Sequence, residues 1–278
     1  MDRRPIAAGR FYEEDAGRLR RQLAVFFDNV PEAECKTEEK VHAIVSPHAG
    51  YVFSGQTAAY SFSAIRPESL HNPLFVILGP DHTGACPGVS VSACDNWITP
   101  FGKCRVNDDI RDWMGGNKLI NIENRAHSSE HSIEVQLPFL QYIMQNRPFT
   151  ILPIALSIHD TGSIEKTGEL LVQMPERHNG TVVFVISSDF SHYVSPQKAS
   201  EDDRKTIDIL LNGSMKERYI RASDPDLTVC GIIPALTYLS GFSQCVAGRL
   251  LHYSTSGDIM PMDEVVGYAA IVFTKREG

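Results

Sequence analysis

Val182-Val183-Phe184-Val185-Ile186-Ser187-Ser188-Asp189-Phe190-Ser191-His192-Tyr193 is the stretch on which the reading of the fold turns. Five apolar residues, four of them β-branched, run without a polar interruption and then break into a Ser/Asp turn. Such a run reads as a short strand buried on both faces, as in parallel sheets covered by helices. The same grammar occurs twice more. Val41 to Val45 runs into Ser46-Pro47-His48-Ala49-Gly50-Tyr51, and Leu74 to Leu78 runs into Gly79-Pro80-Asp81-His82-Thr83-Gly84. Ile151 to Leu156 reads as a fourth apolar strand, with late strands near Arg249 to Ser254 and Val265 to Phe273.

Helical patterns fall between them. The expected helices are Asp15 to Asn29 with Asp15 as cap, Gly55 to Ile65 with Ser54 as cap, Asn107 to Met114 and Glu130 to Gln145. Further along they are Ser163 to Met174, Pro196 to Asn212 and Ile232 to Leu239. Leu19, Leu23 and Phe26 mark the buried stripe of the first one, and Pro138 predicts a kink or a fresh first turn inside the fourth. Pro31 to Lys40 is charge-rich and reads as a surface loop. Strands alternating with helices predict an α/β fold with a mainly parallel central sheet, and no linker divides it, so residues 1–278 are expected to form one domain.

In open parallel sheets, ligands bind beyond the carboxyl ends of the strands. If the three strands are neighbours, His48, His82 and His192 converge on one crevice. Imidazole is the commonest side-chain metal ligand, so two such histidines make half a metal site. His42, His71, His159, His178 and His252 have nothing chemical beside them and read as packing or surface residues. Asp81 and Asp189 could orient a neighbouring imidazole or could simply form turns. Glu130-His131-Ser132-Ile133-Glu134 is a denser cluster at an expected helix start. Its acids suit the positive end of a helix dipole, and the spacing lacks the second histidine of HEXXH. A helix start at a crevice would suit an anionic substrate group, which makes Glu130, His131 and Asp81 the expected substrate-facing residues. Cys230 precedes Gly231 and an apolar run. On residue type alone it stands level with Cys245 and Cys94 as a third ligand.

Composition narrows the function classes. The 278 residues are 42% hydrophobic and 22% charged, with a net charge of −8, ordinary for a soluble globule that needs no metal or disulfide to fold. An acidic surface disfavours nucleic acid and anionic membranes as partners. No apolar run approaches the roughly 18 residues of a membrane helix, and the N-terminus carries no signal-peptide pattern. Six cysteines without a CxxC pair fit a reducing cytoplasm.

Ala8–Asp15 (AGRFYEED), Ser46–Gly55 (SPHAGYVFSG), Leu78–Gly84 (LGPDHTG), Thr99–Gly102 (TPFG), Glu130–Gln141 (EHSIEVQLPFLQ), Ser187–Tyr193 (SSDFSHY), Thr228–Pro234 (TVCGIIP) and Gly267–Phe273 (GYAAIVF), taken in order, resemble the Memo family. That family is similar in fold to the class III extradiol ring-cleaving dioxygenases, which use non-haem iron(II). The resemblance implies a metal site from His48, His82 and Cys230, with His192 matching the acid/base histidine and Asp189 beside it. Fe(II) is the expected metal, with Cu or Zn as alternatives. The implied activity is a metal-dependent oxidoreductase acting on a small molecule. The competing reading is a metal-holding adaptor that binds a peptide or protein in the same crevice. Family context adds radical SAM and AMMECR1-like proteins as possible partners. The cysteine departs from the two-histidine, one-carboxylate set of the ring-cleaving enzymes. A thiolate is softer and open to oxidation, so fold and site could be dioxygenase-like while the reaction is not catechol cleavage.

Overall fold

The computed structural model describes residues 1–31, 39–224 and 231–276. In chain order the elements begin with β1 (Asp2–Arg3), α1 (Ala16–Asp28), β2 (Val41–Ser46), α2 (Tyr51–Ser63) and β3 (Leu74–Pro80). Then come β4 (Gly88–Ser92), β5 (Asn96–Thr99), β6 (Gly102–Val106), α3 (Asp108–Gly115), β7 (Ile120–Glu123) and α4 (Arg125–Ser128). The middle holds α5 (Leu137–Met144), β8 (Thr150–Ser157), α6 (Thr161–Arg177), β9 (Val182–Ser187) and β10 (His192–Val194). The chain closes with α7 (Pro196–Asn212), α8 (Met215–Ala222), α9 (Ile232–Phe242), β11 (Val246–Thr255) and β12 (Val265–Lys275).

Among the described residues, one mixed sheet joins all the strands, in the order β1-β5-β6-β8-β3-β9-β2-β12-β10, with β11 on β12 and the β4/β7 pair on β8. The centre, β6-β8-β3-β9-β2, is parallel throughout. Every residue of β9 and all but the last of β3 are buried, as the uninterrupted apolar runs predict. The expected α/β architecture is therefore present. α2 packs on β2, β11 and β12, while α9 packs on β3 and β9. Gly168 of α6 faces Gly241 of α9, and a Cβ on Gly241 would stand 2.6 Å from the Gly168 carbonyl oxygen. The pair lets two helices approach more closely than any side chain would allow.

Several boundaries differ from expectation. α2 starts at Tyr51, not Gly55, with Gly50 as its cap; Ser54 lies inside, its hydroxyl donating to the Ala49 carbonyl. The expected helix over Glu130–Gln145 shrinks to α5, preceded by a 3₁₀ turn at Glu134–Gln136. Pro138 sits in the first turn of α5, where its missing N–H costs nothing. Glu130 and Glu134 therefore do not stabilise a helix start; both are buried and serve distant partners. Cys35 and most of the Pro31–Lys40 stretch lie outside the described residues. Among the described residues, no helix is long and apolar enough to cross a membrane.

Two buried histidines are expected to make the fold acid-sensitive. His42 bonds Tyr238 and His127 packs edge-on against Trp97. Burial lowers both from the ordinary histidine range to about 4, helped by nearby Lys275 and Arg3 respectively. Between about pH 4 and 6.5 the unfolded chain binds protons that the folded chain refuses. Stability is then intact above that window and falls with pH inside it, at about 1.4 kcal/mol per pH unit for each histidine. Urea unfolding at pH 7 and pH 5 should show this loss, and His42→Gln with His127→Gln should reduce it. An unchanged pH slope in the double variant would assign the effect to other groups.

Candidate functional site

β3, β9 and β2 lie side by side in that order and point the same way, with Ser46 paired to Ser187 and Leu78 to Ile186. Their carboxyl ends thus release Pro47-His48, Asp81-His82 and Ser188–His192 at one edge of the sheet. Gly79 lets the 130–134 segment close over this edge, since a Cβ there would meet Ile133 and Ser132 at 2.7 Å.

Three imidazoles meet above it. The His48 and His82 ring centroids are 5.1 Å apart, nearly perpendicular. His131 stacks on His82 at 5.1 Å and stands 5.7 Å from His48. Phe11 packs against His131 at 4.3 Å.

The hydrogen bonds fix which nitrogen of His48 faces the crevice. The single proton of the Ser187 hydroxyl goes to the Ser132 carbonyl at 2.7 Å. That leaves two lone pairs on Ser187 Oγ. One accepts from Gln136 Nε2 at 3.1 Å, the other contacts His48 Nδ1 at 2.9 Å. His48 must therefore carry its proton on Nδ1, and Nε2 presents a bare lone pair. Nε2 is buried and has no hydrogen-bond partner among the described residues. Burial lowers the His48 pKa to about 4, so the ring is neutral at physiological pH.

His82 is set by a carboxylate. Glu130, fully buried, lies 3.0 Å from His82 Nδ1 and accepts the His82 and Ser132 backbone N–H groups at 2.7 and 2.8 Å. Burial opposes its ionisation, but these bonds and the His82 charge hold it down at about 2. An ionised carboxylate only accepts, so Nδ1 of His82 is protonated and Nε2 is the atom free for a ligand. Burial alone would lower the His82 pKa; the Glu130 pairing outweighs it and raises it. His131 lies 3.5 Å from the same carboxylate, and burial lowers its pKa. His82, Glu130 and His131 together offer three donor atoms within 4.8 Å of one another.

Asp189 sits beneath. Its Oδ1 accepts the His48 N–H at 2.8 Å, and its Oδ2 is 3.7 Å from His48 Nε2 and 3.8 Å from His192 Nε2. Both Oδ2 separations exceed hydrogen-bond length. Burial pushes its pKa up, but the two histidines and the His48 N–H bring it below the usual carboxylate value. The loop to His192 is tied at several points. Phe190 N–H donates to the Gly267 carbonyl, and Ser191 donates through N and Oγ to Asp203 at 2.9 and 2.5 Å.

The structure thus brings together His48, His82, His131, Glu130, Asp189 and His192. Asp81 is placed otherwise: its carboxylate accepts from Thr83 N and Oγ1 and from Cys86 N, shaping its own turn. Cys230 lies outside the described residues. The supporting chain Ser132–Ser187–Gln136 had no sequence signal of its own. Neither did Arg3, whose guanidinium bonds the His127 and Glu130 carbonyls at 2.7 Å and Glu134 at 2.6 Å.

A mostly parallel α/β sheet carrying a histidine- and carboxylate-lined crevice at its strand ends is the class of protein defined by this geometry. Comparison places it further: the family model described as Memo-like protein matches residues 3–272, and the chain belongs to the Memo-like family. A MEMO1 family protein of Methanococcoides burtonii is 37% identical over 272 residues, covering 97% of this chain and 99% of its own. One from Thermococcus onnurineus is 35% identical, covering 99% and 100%. Among solved structures, an uncharacterized protein, JW3007, from Escherichia coli K12 shares the fold. Its TM-score is 0.54 at 11% identity, and the match covers 84% of this chain and all of the other.

Proposed function

We propose that the crevice holds a metal ion through His48 and His82, completed by Cys230, and that the protein is a metal-dependent oxidoreductase acting on a small molecule. One observation carries this reading. Nδ1 of each histidine donates a hydrogen bond, His48 to Ser187 Oγ and His82 to the Glu130 carboxylate, which leaves Nε2 of each ring as the atom available to a ligand at one crevice. A buried, neutral imidazole nitrogen with no partner is costly unless something binds it. The donor set suits the metal: a second group orienting each ligating histidine is the usual arrangement around such ions. Fe(II) fits two imidazoles, and the thiolate would also favour Cu(I) or Zn. A ferrous ion would supply Lewis acidity and one-electron redox chemistry at the crevice. The chain supplies the rest. Asp189 fixes the His48 backbone, Glu130 fixes His82, and His192 is the group placed to move a proton to or from the substrate.

Anaerobic purification with metal analysis tests the site. Wild-type protein is expected to retain about one equivalent of Fe(II) or Cu(I). His48→Ala and His82→Ala should fall to roughly a tenth of that loading or less, with circular dichroism unchanged. Cys230→Ser should lose copper more completely than iron, because thiolate is the soft ligand. Full loading in a folded His48→Ala/His82→Ala variant would remove the site.

A further inference from the structure

At the far end of the sheet from the histidines, a cleft of about 520 Å³ opens beside the amino ends of β6 and β8. Arg20 of α1, Lys103 of β6 and Arg147 before β8 stand around it, with Gln145, Asn146 and the partly buried Phe101. We infer that this cleft is a second, separate binding site, and that its ligand is a small molecule carrying a phosphate monoester.

The charge arrangement motivates the choice. The chain is acidic overall, at −8, and two neighbouring arginines are answered by carboxylates, Arg18 by Glu13 and Arg105 by Asp108. Lys103 pairs with Asp2 at 2.9 Å. Arg20 and Arg147 have no carboxylate within ion-pair distance among the described residues. Two unanswered guanidiniums at one concavity match the double charge of a phosphate monoester, which each can grip with a pair of parallel N–H bonds. Arg20 is also held in place, its guanidinium lying 5.1 Å above the Phe101 ring. Side-chain amides of Gln145 and Asn146, with no hydrogen-bond partner among the described residues, add donors at the rim.

The backbone shapes the rim of the cleft. Gln145 has φ 53° and ψ −113°, a conformation that glycine adopts readily and a side-chain-bearing residue does not. It turns the chain sharply out of α5 and sets residues 145–147 along the cleft. The volume lies in the ordinary range for small-molecule sites and exceeds what inorganic phosphate would fill. Phe101 and Phe149 form its apolar wall, so the ester group has a surface to rest on.

Titration calorimetry of the full-length protein with inorganic phosphate and with phenyl phosphate tests the inference. Both should bind saturably, phenyl phosphate more tightly. Arg20→Ala and Arg147→Ala should each weaken binding by about tenfold or more, since each removes charge-assisted bonds. His48→Ala should leave it unchanged, which separates this cleft from the metal site. Absence of saturable binding would overturn the proposal. So would unaltered affinity in Arg20→Ala/Arg147→Ala, or loss of binding in His48→Ala, which would locate the anion at the histidines instead.

Discussion

Replacing Arg3 by methionine is expected to cost about 3–5 kcal/mol of unfolding free energy, the loss typical when one partner of a buried ion pair is removed. Arg3 and Glu134 are 5% and 0% exposed, with Nη1 and Oε2 2.6 Å apart. Glu134 is further held by the N–H groups of Ile6 and Ala7 and by the Tyr12 hydroxyl at 2.8 Å. Arg3 itself lies 3.9 Å over the Trp97 ring. Methionine preserves much of the volume, so the loss would report the charge left without its partner. Urea denaturation should show a lower midpoint with an unchanged slope. Adding Glu134→Gln should recover part of the loss, because the amide oxygen can still accept from Ala7 and Tyr12 without carrying a charge. A loss below about 1 kcal/mol in Arg3→Met would mean water reaches the pair, since exposed pairs contribute no more than that.

That pair also explains what was hidden in the sequence. Arg3 meets its partners 124 to 131 positions away, and no local pattern announces a contact at that distance. By position Glu134 reads as an acid near a helix start; its buried partner gives it another role. By contrast, β2, β3 and β9 were legible because each is a solid apolar run ending in turn-forming residues, and their adjacency carries His48, His82 and His192 to one edge. β4 to β7 were not anticipated. Their sequences, such as Gly88–Ser92 and Ile120–Glu123, mix polar residues into short segments, so a search for uninterrupted apolar runs passes over them. Ser54 misled for a related reason. A serine before an apolar stretch resembles a cap, yet here Gly50 begins the helix and Tyr51 is drawn in by its hydroxyl bond to the Val135 carbonyl at 2.6 Å. Residue type identified the three strand-end histidines. The supporting atoms that set His48 and His82 Nδ1 depend on tertiary contacts alone.

His192→Ala is the variant that separates an enzyme from an adaptor. His192 opens β10 and pairs with Val266 of β12, on a loop tied to Asp203 and Gly267. Its Nε2 lies 3.8 Å from the Asp189 carboxylate, which would favour the imidazolium as a proton arrives. Imidazole both accepts and donates protons near neutral pH, and positioned proton transfer contributes typically about 10²–10⁴-fold to rate. The alanine variant should therefore keep its fold and its metal, while substrate-dependent turnover, followed for instance by dioxygen consumption across a panel of small molecules, falls by that factor. Asp189→Asn should fall less, because it acts through the orientation of His48 and His192. If His192→Ala instead empties the site, His192 is a ligand and the proton-transfer role is lost. If metal and turnover both persist, the histidine only packs the loop. Peptide or protein binding that survives in His48→Ala and His82→Ala, with no turnover in wild type, would make the crevice a docking surface and the adaptor reading correct.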